Sequence, residues 1–426
     1  MKKVLVRHWS CFNENELSIY SKCKEHFGNS GNCVFVYGLE KCLRDHGVDY
    51  ECNPYYENEY INDHFSCVIE IPANIFGPNS ETVNQFLRGR LDNLRVPVIF
   101  MSPGIQAKNL AEYQSLPKVI GESTKKLLDA VYKTGGEFGV RGAYTKEFLD
   151  IVCPSNTSKV IGCISTYQFG RDIQISNNKL SLSEFNPIIN GHTDELKLNN
   201  YENLFNTYKN AEYMDQDEFG NALYDSKKTD YISLVRHCSR FGVDLLKQQR
   251  VNLFFSIPEW KQFLNDKKFN FSFGTRIHGS LMSLSQNIPA LVWARDLRVK
   301  ELCDFYSIPN IDNFSSDLYN LYLGTDYSSF NKLFSSKFTI LLDFLGKNKI
   351  IDSTNLKNCE NMTEFNISQA HIDKICRNIK TPSKRMLAIK LFNTYIKYII
   401  YKGVGGGQDQ FLDIRTIKYL LGILKV

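Results

Sequence analysis

The chain has 426 residues, 43 % of them apolar and 23 % charged, with a formal net charge of +5. It is long enough for two domains with buried cores and too apolar to be disordered throughout. So mild a charge does not by itself point to nucleic acid, and twelve scattered cysteines without a CxxC pair make no disulfide framework.

The first 165 residues alternate between strand-like and helix-like segments. Lys3–His8 is a short apolar run, and Gly38–His46 has helical spacing with a glycine stop at Gly47. Cys67–Ile71 is strand-like, Glu81–Asn93 helical, and Val96–Met101 a central parallel strand followed by Ser102, Pro103 and Gly104. Helices are predicted over Glu122–Lys133 and Thr145–Val152, and a strand over Lys159–Ile164. A polar stretch, Gly170–Lys179, reads as a linker. The alternation then resumes with strands at Phe185–Asn190, Ala211–Met214, Val251–Ile257, Phe269–Phe273 and Pro289–Ala294. Between them lie helices at Tyr201–Asn210, Thr229–Phe241, Pro258–Asn265 and Ile277–Gln286, with Val299–Ser307 last. This is the pattern of doubly wound parallel sheets. The expected fold is α/β, with two Rossmann-like domains at 1–168 and 180–315 and a mostly helical, basic extension at 316–426.

The tail from Lys374 carries eleven Lys/Arg against Asp409 and Asp413. Within it Lys384–Lys402 is apolar with spaced lysines, so a peripheral contact with an anionic membrane is one reading and a packed helix the other. No apolar run reaches the length of a membrane span and the N-terminus is too short in apolar residues for a signal peptide, so the expected location is cytoplasmic.

The most informative stretch is Phe271–Arg298, FSFGTRIHGSLMSLSQNIPALVWARDLR. A strand ends, Gly274 and Thr275 turn the chain, and Arg276 and His278 follow where a helix begins, with Gly279 keeping its first turn open. Helix N–H groups and a guanidinium favour an anion there, and an imidazole can move a proton near neutral pH. The bland alternative pairs Arg276 with a carboxylate and uses His278 as a cap. The GTRIHG segment and the IPALVWARD strand after it resemble the polysaccharide pyruvyl transferase family. So do, in order, FGNSGN at 27–32, VPVIFMSPGI at 96–105, FGVRGAYTKEFL at 138–149 and VIGCIS at 160–165.

The resemblance covers about Met1–Asn310 and implies a GT-B-like fold with the acceptor on the first domain and the anionic donor on the second. The implied activity is transfer of pyruvate from phosphoenolpyruvate onto two hydroxyls of a cell-surface sugar as a ketal, in a bacterial-type pathway, with no cofactor. The acceptor would be lipid-linked or nucleotide-linked. Residue by residue, the family's Arg-x-His pair falls on Arg276 and His278, and its first-domain arginine on Arg141. Its basic residue after the next strand, commonly Lys, falls on Arg298, which keeps the charge but changes its shape. That departure keeps open a glycosyltransferase using a nucleotide-sugar. A sugar- or nucleic-acid-binding protein is the third reading, although no nucleic-acid motif is present.

Gly28, Asn29, Gly31 and Asn32 could offer backbone contacts to a phosphate or sugar, or simply form a tight turn. Trp293 could stack on a sugar or sit in the core, and Asp296 could orient Arg298 or His278. Glu259 and Trp260 begin a helix where nucleotide contacts occur in GT-B folds. Arg236 and His237 read as solvated. No metal site is expected: the histidines lack ligand spacing, and the triplet Asp215-Gln216-Asp217 with Glu218 reads better as a solvated acidic loop than as a cation holder.

Overall fold

The computed structural model describes residues 2–12 and 27–352, save 177, 198, 217, 218, 220–230 and 255. In chain order the first half runs β1 (Lys3–Val6), α1 (Ser30–Asp45), β2 (Tyr50–Cys52), α2 (Asn58–His64), β3 (Phe65–Glu70), β4 (Asn74–Phe76) and α3 (Glu81–Gly89). It continues with β5 (Val98–Met101), β6 (Gly104–Ile105), α4 (Leu110–Lys133), β7 (Glu137–Val140), α5 (Ala143–Val152) and β8 (Lys159–Val160). The second half holds β9 (Pro187–Asn190), α6 (Asn199–Thr207), β10 (Glu212–Asp215), α7 (Tyr231–Lys247), β11 (Val251–Leu253), α8 (Ile257–Asp266) and β12 (Phe271–Gly274). It ends with α9 (Ile277–Ser285), β13 (Ala290–Trp293), α10 (Leu297–Tyr306), β14 (Asn310–Ile311), α11 (Leu318–Gly324) and α12 (Ser328–Lys347).

Two six-stranded sheets result, ordered β2-β1-β3-β5-β7-β8 and β11-β10-β9-β12-β13-β14. Every pairing in them is parallel. Strands covered on both faces are apolar on both, as the Val/Ile/Phe runs require. Val4 and Val6 enter one core and Leu5 the other, the two-residue period of a strand. The core holding Val4 and Val6 continues through α1 to the second sheet, where Ile188, Ile189 and Phe273 lie.

Boundaries differ from the sequence reading in instructive ways. Helix α1 begins eight residues before Gly38, because the Asn29 side chain accepts the Asn32 N–H and caps it. Helix α4 runs through Pro117, where the reading started only at Glu122. Its apolar face is buried, and that packing outweighs the lost backbone hydrogen bond. Helix α7 is interrupted at Ser239, which has φ 67°.

Among the described residues of 171–186 there is no helix or strand. The described part of the C-terminal segment does not stand apart. Helix α12 returns to the first half, where Phe338 stacks on Tyr167 at 5.4 Å and Phe344 abuts Gly139. The tail from Lys374, including Lys384–Lys402, lies outside the described residues. Among the described residues no helix is long and apolar enough to cross a membrane.

Candidate functional site

In the second sheet the strand order reverses between β9 and β12, and their carboxyl ends leave a crevice there. Asn190 ends β9. Its carbonyl accepts the Thr275 N–H (3.2 Å), and its side-chain oxygen accepts the Arg276 N–H (3.0 Å). Gly274 ends β12 with φ 155°, and a Cβ there would fall 1.6 Å from the Asn190 carbonyl oxygen. Only glycine allows this contact, and the contact sets Arg276 as the residue preceding α9, with His278 in its first turn.

Groups from the first half meet them. Arg141 follows β7, is 2 % exposed, and holds its guanidinium carbon 5.8 Å from the centre of the Phe35 ring. That ring lies 6.4 Å from the imidazole of His278. Arg298, in the first turn of α10, donates from Nη2 to Asp296 Oδ2 at 3.2 Å. With the Asn74 amide turned to donate to the Ala73 carbonyl, its oxygen accepts from Arg298 Nη1 at 3.1 Å. Asp296 also caps α10 through the Val299 N–H at 2.8 Å.

Burial first, then the charges of Arg141, Arg298 and Arg276, push the His278 imidazole down to about 3. In the unliganded protein it is neutral at physiological pH. Burial also lowers Arg298; Asp296 opposes this, while Arg141 and Arg276 add to it. Nε2 of His278, Nε and Nη2 of Arg141 and Nε of Arg298 are buried without a hydrogen-bond partner. Each such atom costs about 1–3 kcal/mol, so a cluster of them marks a site built for something else. Arg276 and His278 are half-buried rather than sealed. The open nitrogens of Arg141, Arg298 and His278, with the Arg276 guanidinium close by, suit an anion.

Glu301 braces the cluster across the two halves. Its carboxylate accepts the Thr145 N–H (2.9 Å) and hydroxyl (2.7 Å) at the start of α5, beside Arg141. Burial pushes it up to about 7, against the pull of Thr145 and Arg141.

The structure thus brings together Arg276, His278, Arg298, Asp296 and Arg141, with Gly274 and Gly279 beneath them. In the 28–32 loop, Asn29 caps α1 and Asn32 donates to the Phe27 carbonyl (2.6 Å), so both side chains serve the turn; Gly28 turns it with φ 77° and is exposed. Gly31 is the member that reaches the cluster: a Cβ there would lie 3.2 Å from His278 Nδ1 and 2.3 Å from Gln216 Oε1. Thr275 turns away and gives its hydroxyl to Glu195 at 2.8 Å. Trp293 is half-buried, packs on Phe314 at 5.2 Å and donates to the Asp312 carbonyl.

The acidic-loop reading of 215–218 is corrected at its start. Asp215 and Gln216 are 1 % and 5 % exposed, and Asp215 accepts the Phe219 N–H. Asp217 and Glu218 lie outside the described residues, as do the side chains of Arg236 and His237. Among the described residues no group of three His, Cys, Asp or Glu could hold a metal ion. Sequence reading missed Asn190, Phe35, Asn74, Gln216 and Glu301 as members of the site. Asn190 is brought in by the pairing of β9 with β12, and the others by contacts between the two halves, none of which shows as a local pattern.

No curated protein matches the chain. Among solved structures, one described as T4 phage BGT in complex with UDP and Mn2+ aligns over 81 % of this chain and 99 % of its own. The identity is 10 % and the TM-score 0.37. The profile of one family matches residues 29–296, more than half of the sequence, including Arg141, the GTRIHG turn and Asp296. The chain therefore belongs to the polysaccharide pyruvyl transferase family.

Proposed function

We propose that this enzyme transfers pyruvate from phosphoenolpyruvate to two hydroxyls of a surface-polysaccharide sugar, forming a cyclic ketal and releasing phosphate. The observation that carries the donor assignment is the set of three arginines around His278, with unpartnered donors on Arg141, Arg298 and the imidazole. A small molecule bearing both a carboxylate and a phosphate suits three guanidiniums. The two sheets then act as GT-B-like domains, 1–168 and 180–315, with the donor in the crevice between them.

The depressed His278 explains how the proton arrives. Donor charge offsets the arginines, so the imidazole gains its proton as phosphoenolpyruvate binds. His278 then protonates the methylene carbon of the donor, and one sugar hydroxyl attacks the resulting cationic carbon and returns its proton to the imidazole. The C–O bond to phosphate breaks, the second hydroxyl closes the ketal, and its proton leaves on the departing phosphate. The arginines hold carboxylate and phosphate throughout, an effect worth about 10²–10³ in rate per well-placed group.

Phosphoenolpyruvate should raise the melting temperature of the full chain, and His278→Ala should abolish phosphate release while leaving a folded protein. Stabilisation by UDP-glucose but not by phosphoenolpyruvate would overturn the donor assignment in favour of a nucleotide-sugar.

A further inference from the structure

At the carboxyl ends of the paired strands β10 and β11 lie further unsatisfied groups. The Gln216 carbonyl accepts both the N–H and the hydroxyl of Ser30 at 3.0 Å, which ties the start of α1 to the end of β10. Its side chain wedges between Gly31 and Gly279: a Cβ on Gly279 would lie 3.0 Å from Gln216 Nε2. That nitrogen is buried and has no partner. On the adjacent strand, β11 leads into α8 through Ser256, which is 6 % exposed, and its hydroxyl also has no partner. Glu259, in the first turn of α8, has a buried carboxylate oxygen in the same condition. None of these atoms belongs to the arginine cluster, and among the described residues none has a hydrogen-bond partner.

A donor amide, a hydroxyl and a carboxylate are the groups that bind neighbouring hydroxyls on a ring, whereas a carboxylate repels phosphate. The geometry points to Gln216, Ser256 and Glu259 as a subsite for a hydroxyl-rich ring, either the acceptor sugar itself or the ribose of a nucleoside that carries it. This rests on the transfer reading above, and it puts that ring on the second half rather than the first. Burial pushes Glu259 up to about 7, so near neutral pH its carboxyl can accept a hydroxyl proton.

Calorimetric titration of the full chain tests this with methyl glycosides of glucose, galactose and mannose, with UDP and with phosphoenolpyruvate. At least one glycoside, or UDP, should bind, and the one that binds identifies the source of the ring. Glu259→Gln should weaken that ligand about tenfold and Ser256→Ala about threefold, with phosphoenolpyruvate affinity unchanged in both. Glu259→Gln should also raise the melting temperature of the free protein, and more at pH 8 than at pH 5, because a carboxyl raised by folding loses its stabilising share as pH rises through about 7. A fall in melting temperature at both pH values would show a structural residue instead. No binding by any glycoside or UDP, or equal binding in wild type and both variants, overturns the subsite. Loss of phosphoenolpyruvate binding by the wild type, with ring binding intact, overturns the donor assignment alone.

Discussion

The two sheets reverse direction at equivalent places and fill them in opposite ways. In the first sheet the reversal lies between β1 and β3, where Arg7 meets Glu70 at 3.2 Å with both side chains almost fully buried. Arg7 also donates to the Arg90 carbonyl (3.2 Å) and to Asn58 (3.0 Å), and Arg90 stands 4.0 Å from Glu70. That crevice is closed by its own ion pair. In the second sheet the crevice gathers cations, and Asp296 bonds one of them, Arg298. Topology offers both positions to a ligand. Charge balance separates them: in the first sheet the buried cation has its carboxylate, and in the second buried cations face one another, which suits an anion.

Three changes would break or sharpen this contrast. The largest effect is expected in the closed crevice. Glu70→Gln strands Arg7 in the interior and should cost about 3–5 kcal/mol in urea unfolding, with phosphoenolpyruvate affinity of the folded protein retained. A loss below about 1 kcal/mol would mean that Arg7 finds other partners. The open crevice should respond in reverse. Arg141→Met removes an unpaired buried charge, so it should weaken phosphoenolpyruvate about 100-fold, roughly 2.7 kcal/mol, while the free protein gains about 1 kcal/mol. A destabilised variant that still binds the donor would show Arg141 to be structural.

The smallest effect is pH dependence. Between pH 6.5 and about 3 the unfolded chain holds a proton on residue 278 that the folded free protein does not, so acid favours unfolding there. From pH 6.5 to 5 this should cost roughly 1–2 kcal/mol, and His278→Gln should remove it from the measured slope. Glu40 and Glu301, pushed up to about 7 by burial, work with the opposite sign, losing stabilising share as pH rises. The difference between wild type and variant isolates the imidazole. Equal slopes would mean that the ring is already charged in the free protein.

The βα alternation was legible because buried parallel strands must be apolar runs and the helices between them must end in caps or turns. The candidate site was legible where it is continuous in sequence, at Gly274–Gly279 and Asp296–Arg298. What stayed hidden is what the crossing of the halves creates. Gln216 looked like part of an acidic loop until the Ser30 contact buried it. Glu301 looked like an ordinary helix residue until it capped α5, 156 residues away. Short strands such as β2, β4 and β6 carry too few residues for a periodic signal.

The return of α12 has a consequence for synthesis. Once residue 170 has left the ribosome, every strand of the first sheet exists, yet the aromatic surface that covers Gly139, Tyr167 and Phe169 has not been made. Phe334, Phe338 and Phe344 supply that cover more than 150 residues later. The nascent first half must therefore wait with an apolar flank open to solvent, and a chaperone that shields this flank would raise the yield of folded enzyme.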